Sequence, residues 1–100
     1  MLGLLNNYHF IDGFNQYYFI TNTGNVYSYK YHKWQRMSSS SIVNKYKNVK
    51  LSKNNKVYTY MIHRLVAKYF CENFTSKCVV DHIDTNIHNN HYLNLQCITQ

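Results

Sequence analysis

The stretch VVDHIDTNIHNNHYLNL, from Val79 to Leu95, decides how the C-terminal part of this chain folds. The β-branched pair at its start predicts a strand that ends at Asp81 and His82. An amide-rich turn follows, and Asn94 stands just before a second short extended run, LQCIT. Because side chains alternate along a strand, this pattern delivers a carboxylate and an imidazole, adjacent in the backbone, to one strand end.

The residue types at that strand end suit hydrolytic chemistry. A carboxylate such as that of Asp81 is an oxygen ligand for a hard metal ion. An imidazole, with an ordinary pKa of about 6.5, can take a proton from water near neutral pH. We expect Asp81 and His82 to converge on one cation. A bound metal ion beside a general base is the least that hydrolysis of a phosphodiester bond requires.

The charge of the chain favours a polyanionic partner. Its 11 Lys and Arg against 4 Asp and Glu give a formal net charge of +7 over 100 residues. No acid occurs between Asp12 and Glu72. The basic residues of that interval are Lys30, Lys33, Arg36, Lys45, Lys47, Lys50, Lys53, Lys56, Arg64 and Lys68.

Tyrosines and Trp34 are interleaved with these basic residues, which favours nucleic acid over an ordinary solubilising surface. We assign DNA contacts to the eight basic residues from Lys30 to Lys56. Trp34 either stacks on a ligand or packs under the hairpin, and the sequence leaves both open.

Two β-hairpins are predicted in the first sixty residues. The run YYFI at Tyr17–Ile20, a turn TNTGN with Gly24 at positive φ, and VYSY from Val26 form the first. YKNVKL at 46–51 and KVYTYM at 56–61 flank the tip of the second. Between them, YHKWQRMSSSS shows no strong period, and Ser38–Ser41 predict a loop.

An amphipathic helix is predicted from Ile62 to Phe70. Its apolar residues recur at spacings of three and four, while His63, Arg64, Ala67 and Lys68 fall toward other faces. The sequence leaves three roles open for His63, namely packing, capping the helix or contacting phosphate. The fold class is therefore α+β, with N-terminal hairpins, one helix and a final strand pair.

Cellular context follows from the cysteines and the N-terminus. Cys71, Cys78 and Cys97 are odd in number and form no CxxC pair, so reduced thiols inside a cell are expected. Met1–Gly13 lacks the features of a secretory signal, and no segment has transmembrane length. We expect a soluble, intracellular monomer without membrane contact.

The C-terminal half resembles HNH homing-type endonucleases, whose ββα-metal (His-Me finger) core shows HRLVA followed by VDHIDGNxxNNxxxNL. Here the corresponding residues are HRLVAKYF and VVDHIDTNIHNNHYLNL. Residues 11–28, IDGFNQYYFITNTGNVYS, resemble the small DNA-associated module that often precedes that core. The resemblance implies an N-terminal β-rich module over residues 8–50 and an HNH nuclease-like domain over residues 56–100.

By this resemblance the chain is a DNA endonuclease of a homing or mobile element, such as a phage or virus carries. His82 would be the general base, Asn94 the residue that orients it, and Asp81 a ligand of Mg²⁺ or Mn²⁺. The residues implied to shape the loop between the two strands are Asp84, Asn86, Asn89 and Asn90. A Thr stands at position 85 where the family has Gly, and a positive φ there would cost about 1 kcal/mol.

Two alternatives stay open, and the first follows from one departure from the family pattern. The last HNH residue belongs on a helix after the second strand, and the sequence reaches Gln100 without it, so we expect an incomplete core with weakened metal binding. A noncatalytic DNA-binding remnant is the first alternative. A zinc-stabilised module using Cys78, His82, His88, His91 and Cys97 is the second, although no standard ligand spacing supports it.

Overall fold

The computed structural model describes residues 7–39 and 45–99 of the chain. Within these ranges, eight strands form three small antiparallel sheets, and these sheets lie around one α-helix. The strands are β1 (Tyr8–Phe10), β2 (Tyr18–Thr21), β3 (Val26–Lys30), β4 (Lys33–Arg36), β5 (Asn48–Lys53), β6 (Lys56–Met61), β7 (Val79–His82) and β8 (Leu95–Ile98). The helix α1 spans Ile62–Phe70, and a 3₁₀ turn covers Tyr92–Asn94.

The N-terminal sheet has the strand order β1-β2-β3-β4. Its first predicted hairpin is present, with Ile20 opposite Val26 and Gly24 in the turn at φ +93°. Two strands of this sheet were not predicted. β4 is exposed at all four positions and β1 has three residues, so neither carries the alternation of buried and exposed residues that marks a strand.

The second hairpin joins β5 and β6, with Lys53 opposite Lys56. Its tip is Asn54 and Asn55, as predicted, at φ values of +52° and +64°. Both residues lie in the left-handed region that a tight two-residue turn requires and that Asn tolerates. Ser38 and Ser39 have no regular structure, while Ser40 and Ser41 of the predicted loop lie outside the described residues.

Helix α1 has the predicted bounds and buries the predicted stripe. Ile62, Leu65 and Val66 are buried, and the helix ends where the Cys71 amide donates to the carbonyl of Ala67. His63 and Ala67 are buried as well, which corrects the expectation that they face away from the core. The helix is covered on more than one side, because it contacts both the N-terminal sheet and the β7–β8 pair.

One hydrophobic core joins residues from all three sheets and the helix. It combines Ile20 and Val26 from the N-terminal sheet with Leu51 from β5, Val66 from α1 and Leu95 from β8. The prediction of an α+β fold of hairpins and one amphipathic helix is confirmed. No helix in the described ranges has the length and apolar character needed to cross a membrane.

Candidate functional site

His82 is the last residue of β7 and lies on the buried side of the β7–β8 sheet. Its imidazole is 4% exposed, and its Nε2 is 2.8 Å from the Oδ1 of Asn90. An amide oxygen can only accept a hydrogen bond, so Nε2 carries the proton and Nδ1 of the neutral ring keeps its lone pair. The contact therefore fixes the tautomer that could accept a proton at Nδ1.

Two further rings hold the plane of the His82 imidazole. Tyr46 is stacked on His63 at 4.5 Å between ring centroids and on His82 at 5.8 Å. The two imidazoles are 5.2 Å apart. Stacking fixes the plane of His82, and the in-plane bond to Asn90 fixes its rotation. Sequence reasoning left the role of His63 open and did not connect Tyr46 with this site, because both are distant from His82 in the chain.

His63 is a neutral member of this ring stack. Burial, followed by the neighbouring His82 and Arg64, lowers the pKa of His63 to about 4. The side chain is 5% exposed, and its Nδ1 has no hydrogen-bond partner within residues 7–39 and 45–99. Of the roles open to His63, the structure supports packing against its neighbouring rings.

Asp81 lies on the opposite face of β7 from His82. Its carboxylate is exposed and accepts a hydrogen bond from Gln96 Nε2 on β8 at 3.0 Å. Because neighbouring side chains of a strand alternate, the carboxylate and the imidazole point away from each other. This corrects the expectation that Asp81 and His82 converge directly on one cation.

Asp84 organises the loop between β7 and β8. Its carboxylate accepts hydrogen bonds from the Asn86 amide at 2.8 Å and from the side-chain amides of Asn89 and Asn94, each at 2.9 Å. The bond from Asn89, followed by those from Asn86 and Asn94, lowers the pKa of Asp84 below its usual value. The structure thus brings Asp84, Asn86 and Asn89 of the predicted loop residues together, while Asn90 bonds the imidazole of His82.

The structure places Asn94 beside the end of β7. Its side chain accepts from the Asp84 amide and donates to the Asn89 carbonyl, while its own carbonyl accepts from the Ile83 amide. These bonds hold the two residues that follow His82. The side chain bonded directly to the imidazole is that of Asn90.

A folded-state pKa below the ordinary value makes the loop depend on pH. The ionised carboxylate stabilises the loop above the ordinary pKa of 3.8, and this contribution is lost as the pH falls through the lower folded pKa. We expect backbone hydrogen exchange of residues 83–94 to accelerate in that acidic range. Asp84→Asn should accelerate it above that range, where the wild-type carboxylate is ionised, because its amide nitrogen would face the Asn89 donor. Equal protection in both proteins would contradict the role given to Asp84.

Thr85 occupies the family's glycine position with strained backbone geometry. Its φ is +64°, and its amide donates to the carbonyl of His82 at 3.0 Å. We expect Thr85→Gly to raise the free energy of unfolding by about 1 kcal/mol, because glycine adopts this conformation without a clash of its Cβ. Thr85→Ala, which keeps the Cβ, is the control and should gain much less. Denaturant unfolding measures both, and an equal gain would exclude backbone strain as the cause.

Backbone packing ties this loop to the N-terminal sheet. A methyl group placed on Gly24 would lie 2.9 Å from the Cβ of Asn90 and 3.3 Å from its carbonyl oxygen. Beside this contact, the Tyr92 amide donates to the Asn22 carbonyl at 2.8 Å. The β2–β3 turn therefore supports the residue that holds His82.

The predicted DNA-contacting residues fall into three places. Lys30 and Lys33 are opposite each other at the end of the β3–β4 hairpin, and Lys50, Lys53 and Lys56 lie on the β5–β6 hairpin. Lys53 Nζ donates to the Gly13 carbonyl at 2.7 Å, so one N–H of its ammonium group is already bonded within the protein.

Arg36 and Lys47, the third group, line one polar cavity of about 320 Å³ together with Asn25, Ser38 and Ser39. Lys45, two residues before Lys47 in the chain, is exposed, and its carbonyl oxygen is 3.1 Å from His88 Nε2. This cavity lies beside the Gly24 turn that contacts Asn90. Cationic side chains are thereby placed next to the element that supports His82.

The zinc alternative finds no support in the described residues. All three cysteines are free, and no group of three or more His, Cys, Asp or Glu there could hold a metal ion. Burial, followed by the neighbouring Cys78 thiol, raises the pKa of Cys97 to about 11.

Comparison with known proteins shows what this chain is similar to. Residues 60–100 match the HNH endonuclease family model. The chain is 40% identical over 90 residues to DNA endonuclease I-HmuI of Bacillus phage SP01, covering 90% of this chain and 51% of that protein. It is 36% identical over 85 residues to the uncharacterized HNH endonuclease L245 of Acanthamoeba polyphaga mimivirus, covering 85% of this chain and 25% of that protein.

A solved structure agrees with the sequence relatives. The structure described as DNA binding and cleavage by the HNH homing endonuclease I-HmuI superposes with a TM-score of 0.84 at 39% identity. The match covers 93% of this chain and 52% of the other. The chain thus spans about half the length of I-HmuI, and the resemblance seen in the sequence is confirmed.

Proposed function

We propose that the chain is a DNA endonuclease of the homing type, because residues 60–100 match the HNH endonuclease family model and the chain resembles the phage homing endonuclease I-HmuI and a viral HNH endonuclease. It hydrolyses a phosphodiester bond with His82 as the general base and acts as a monomer. Residues 8–50 form its N-terminal module and residues 56–100 its nuclease domain. The observation that carries the proposal is the fixed His82 imidazole at the end of β7.

The bond from Nε2 to Asn90 supports the role of His82. It leaves Nδ1 as the nitrogen that can take a proton from water, and the Tyr46 and His63 rings prevent the imidazole from turning away. Asn94 acts indirectly, because it bonds the backbone amides of Ile83 and Asp84, the two residues that follow His82. Asn90 and Asn94 are thus both positioning residues.

The geometry also limits where DNA can bind. His82 is almost fully buried, whereas the Tyr46 ring stacked on it is 41% exposed, so substrate reaches the imidazole along Tyr46. β7 ends at His82. A phosphate seated across this strand end can approach His82 from one face and Asp81 from the other.

The family generally uses a divalent metal ion, and the donor chemistry of Asp81 fits one. Its exposed carboxylate has one oxygen bonded to Gln96 and can offer the other to a hard cation such as Mg²⁺ or Mn²⁺. Mg²⁺ is often held by one or two carboxylates, with water and phosphate oxygens completing its shell. When bound, the ion would stabilise the negative charge that develops on the phosphate.

The basic residues supply the DNA contact. Arg36 and Lys47 line the polar cavity beside the Gly24 turn, and Lys30, Lys33, Lys45, Lys50, Lys53 and Lys56 extend the positive surface over both hairpins. If about six of them neutralise phosphates, affinity for duplex DNA should fall about a thousandfold between roughly 50 and 200 mM salt. Fluorescence anisotropy with a labelled duplex measures this, and salt-independent binding would contradict it.

Plasmid cleavage tests the enzymatic part. Supercoiled plasmid incubated with the purified chain and Mg²⁺ or Mn²⁺ should convert to nicked or linear forms, and a chelator should prevent it. DNA left intact under every metal condition would exclude the endonuclease proposal for this chain.

A noncatalytic DNA-binding role is the second candidate. It is favoured by the burial of His82 and by the position of Asp81 on the opposite face of β7. This role predicts salt-sensitive binding without cleavage, so the two assays together separate the candidates.

A further inference from the structure

The outer face of the N-terminal sheet is covered with aromatic rings. Residues opposite one another in an antiparallel sheet share a face, and the pairs Phe10–Phe19, Phe19–Tyr27 and Tyr29–Trp34 therefore point to the same side. We call this side the aromatic face; its rings are Tyr8, Phe10, Phe19, Tyr27, Tyr29 and Trp34.

The rings form a continuous surface. Phe19 lies at the centre, with ring centroids 5.0 Å from Tyr8 and 4.8 Å from both Tyr27 and Trp34. Tyr29 extends the surface past Trp34 at 5.1 Å. The rings support one another, which makes the face a rigid platform.

The aromatic face is not part of the hydrophobic core. The opposite side of the sheet, with Ile20 and Val26, is the side that packs into it. On the aromatic face Tyr8 is 47% exposed, Tyr29 37% and Trp34 40%. A contiguous exposed apolar surface of this kind marks an interaction site more often than a structural need.

Charge indicates the partner. Arg36 shares the aromatic face, because it lies opposite Tyr27, whereas the pair Lys30–Lys33 at the hairpin end points to the other side of the sheet. The acidic residue of this part of the chain, Asp12, is 3.7 Å from Lys68 Nζ, where its charge is balanced. The partner should therefore be anionic and should also present flat apolar groups.

We propose that the aromatic face binds single-stranded DNA, with unpaired bases stacked on Tyr8, Tyr29 and Trp34 and the backbone held by Arg36. A duplex presents phosphates and base edges, whereas the faces of its bases are hidden in the stack. Exposed rings on a four-stranded antiparallel sheet fit unpaired bases, since stacking requires a free base face. This inference does not depend on the proposed cleavage.

Trp34 is the single tryptophan of the chain and therefore a built-in probe. Metal-free titration of the full chain with an oligothymidylate of about twelve nucleotides should quench its fluorescence and saturate, because a stacked base quenches the indole. A duplex of equal length should quench the emission much less even when it is bound, because its bases are stacked on one another and cannot stack on the indole. Equal quenching by both, or no quenching by the single strand, would overturn the proposal.

Two variants separate stacking from simple attraction to positive charge. Tyr29→Leu removes an exposed ring from the aromatic face and should weaken single-strand binding about tenfold, as expected for the loss of one stacked base. Tyr58→Leu is the matched control, because Tyr58 is 36% exposed but lies on the β5–β6 hairpin. Its affinity should equal that of wild type. An equal loss in both variants would refute the assignment of the face.

Two more measurements complete the test. Circular dichroism and thermal unfolding establish that Tyr29→Leu is folded, and if it is not, Tyr29→Phe, which keeps the ring, should bind as wild type does. Sedimentation without DNA tests for a second copy of the chain as the occupant. Self-association that Tyr29→Leu abolishes would reject the single-strand proposal in favour of a dimer.

Discussion

Replacement of His82 by alanine is expected to lower the rate of plasmid nicking by about two to four orders of magnitude, the usual contribution of a general base. Affinity for duplex DNA should change little, because the imidazole is almost fully buried and the predicted phosphate contacts lie on other elements. A fall in kcat with binding preserved is the pattern expected for a group that acts in the chemical step.

The design of this experiment has to separate chemistry from folding, since removal of a buried ring leaves a cavity. His82→Gln keeps more of the volume and should be equally inactive while unfolding at nearly the wild-type denaturant concentration. Asn90→Ala frees Nε2 and should produce a smaller loss, because the ring remains but its tautomer and rotation are no longer fixed. His32→Asn is the control, for it replaces an exposed histidine at a left-handed turn position that Asn accepts. Nicking by His82→Ala at the wild-type rate would remove His82 from the catalytic role.

The second large effect is expected from Gly24→Ala. Its φ of +93° is unfavourable for any residue with a Cβ, and the added methyl would press on Asn90 at 2.9 Å. We expect a loss of about 3 kcal/mol in the free energy of unfolding, the sum of backbone strain and overpacking. Nicking should fall as well, because the displaced residue is the one that holds His82.

Gly13→Ala is the matched control for this substitution. Gly13 has nearly the same φ, +89°, but its added methyl would meet only the flexible end of Lys53 at 3.6 Å. It should therefore show the strain contribution alone, about 1–2 kcal/mol, with nicking retained. Denaturant unfolding of both variants isolates the contact with Asn90, and identical losses would show that this contact does not matter.

Regular elements with a strong sequence period were predictable. The spacing of Ile62, Leu65, Val66, Tyr69 and Phe70 gave the bounds of α1 correctly, and turn residues located the β2–β3 and β5–β6 hairpins. β4 was missed because its four side chains are all exposed, and paired aromatics rather than a buried face define it.

The candidate site was predictable by position but not by contact. The sequence placed His82 at a strand end and identified the loop residues around Asp84. It could not show that Asn90, rather than Asn94, bonds the imidazole, because that depends on how the carboxylate of Asp84 folds the loop. The stack of Tyr46 and His63 on His82 joins residues 36 and 19 positions away along the chain, a distance over which residue patterns carry no contact information.

The shared core has a consequence for how such proteins can be recombined. Ile20, Val26 and Leu51 pack in the same cluster as Val66 and Leu95. Within residues 7–39 and 45–99 the N-terminal hairpins therefore share one core with the helix and the last strand pair. If two genes were recombined at residues 51–56, each part of the chain would lack the core residues that the other part supplies. A chimera with another family member should fold only when it inherits the donor's matching surface of α1 along with its hairpins.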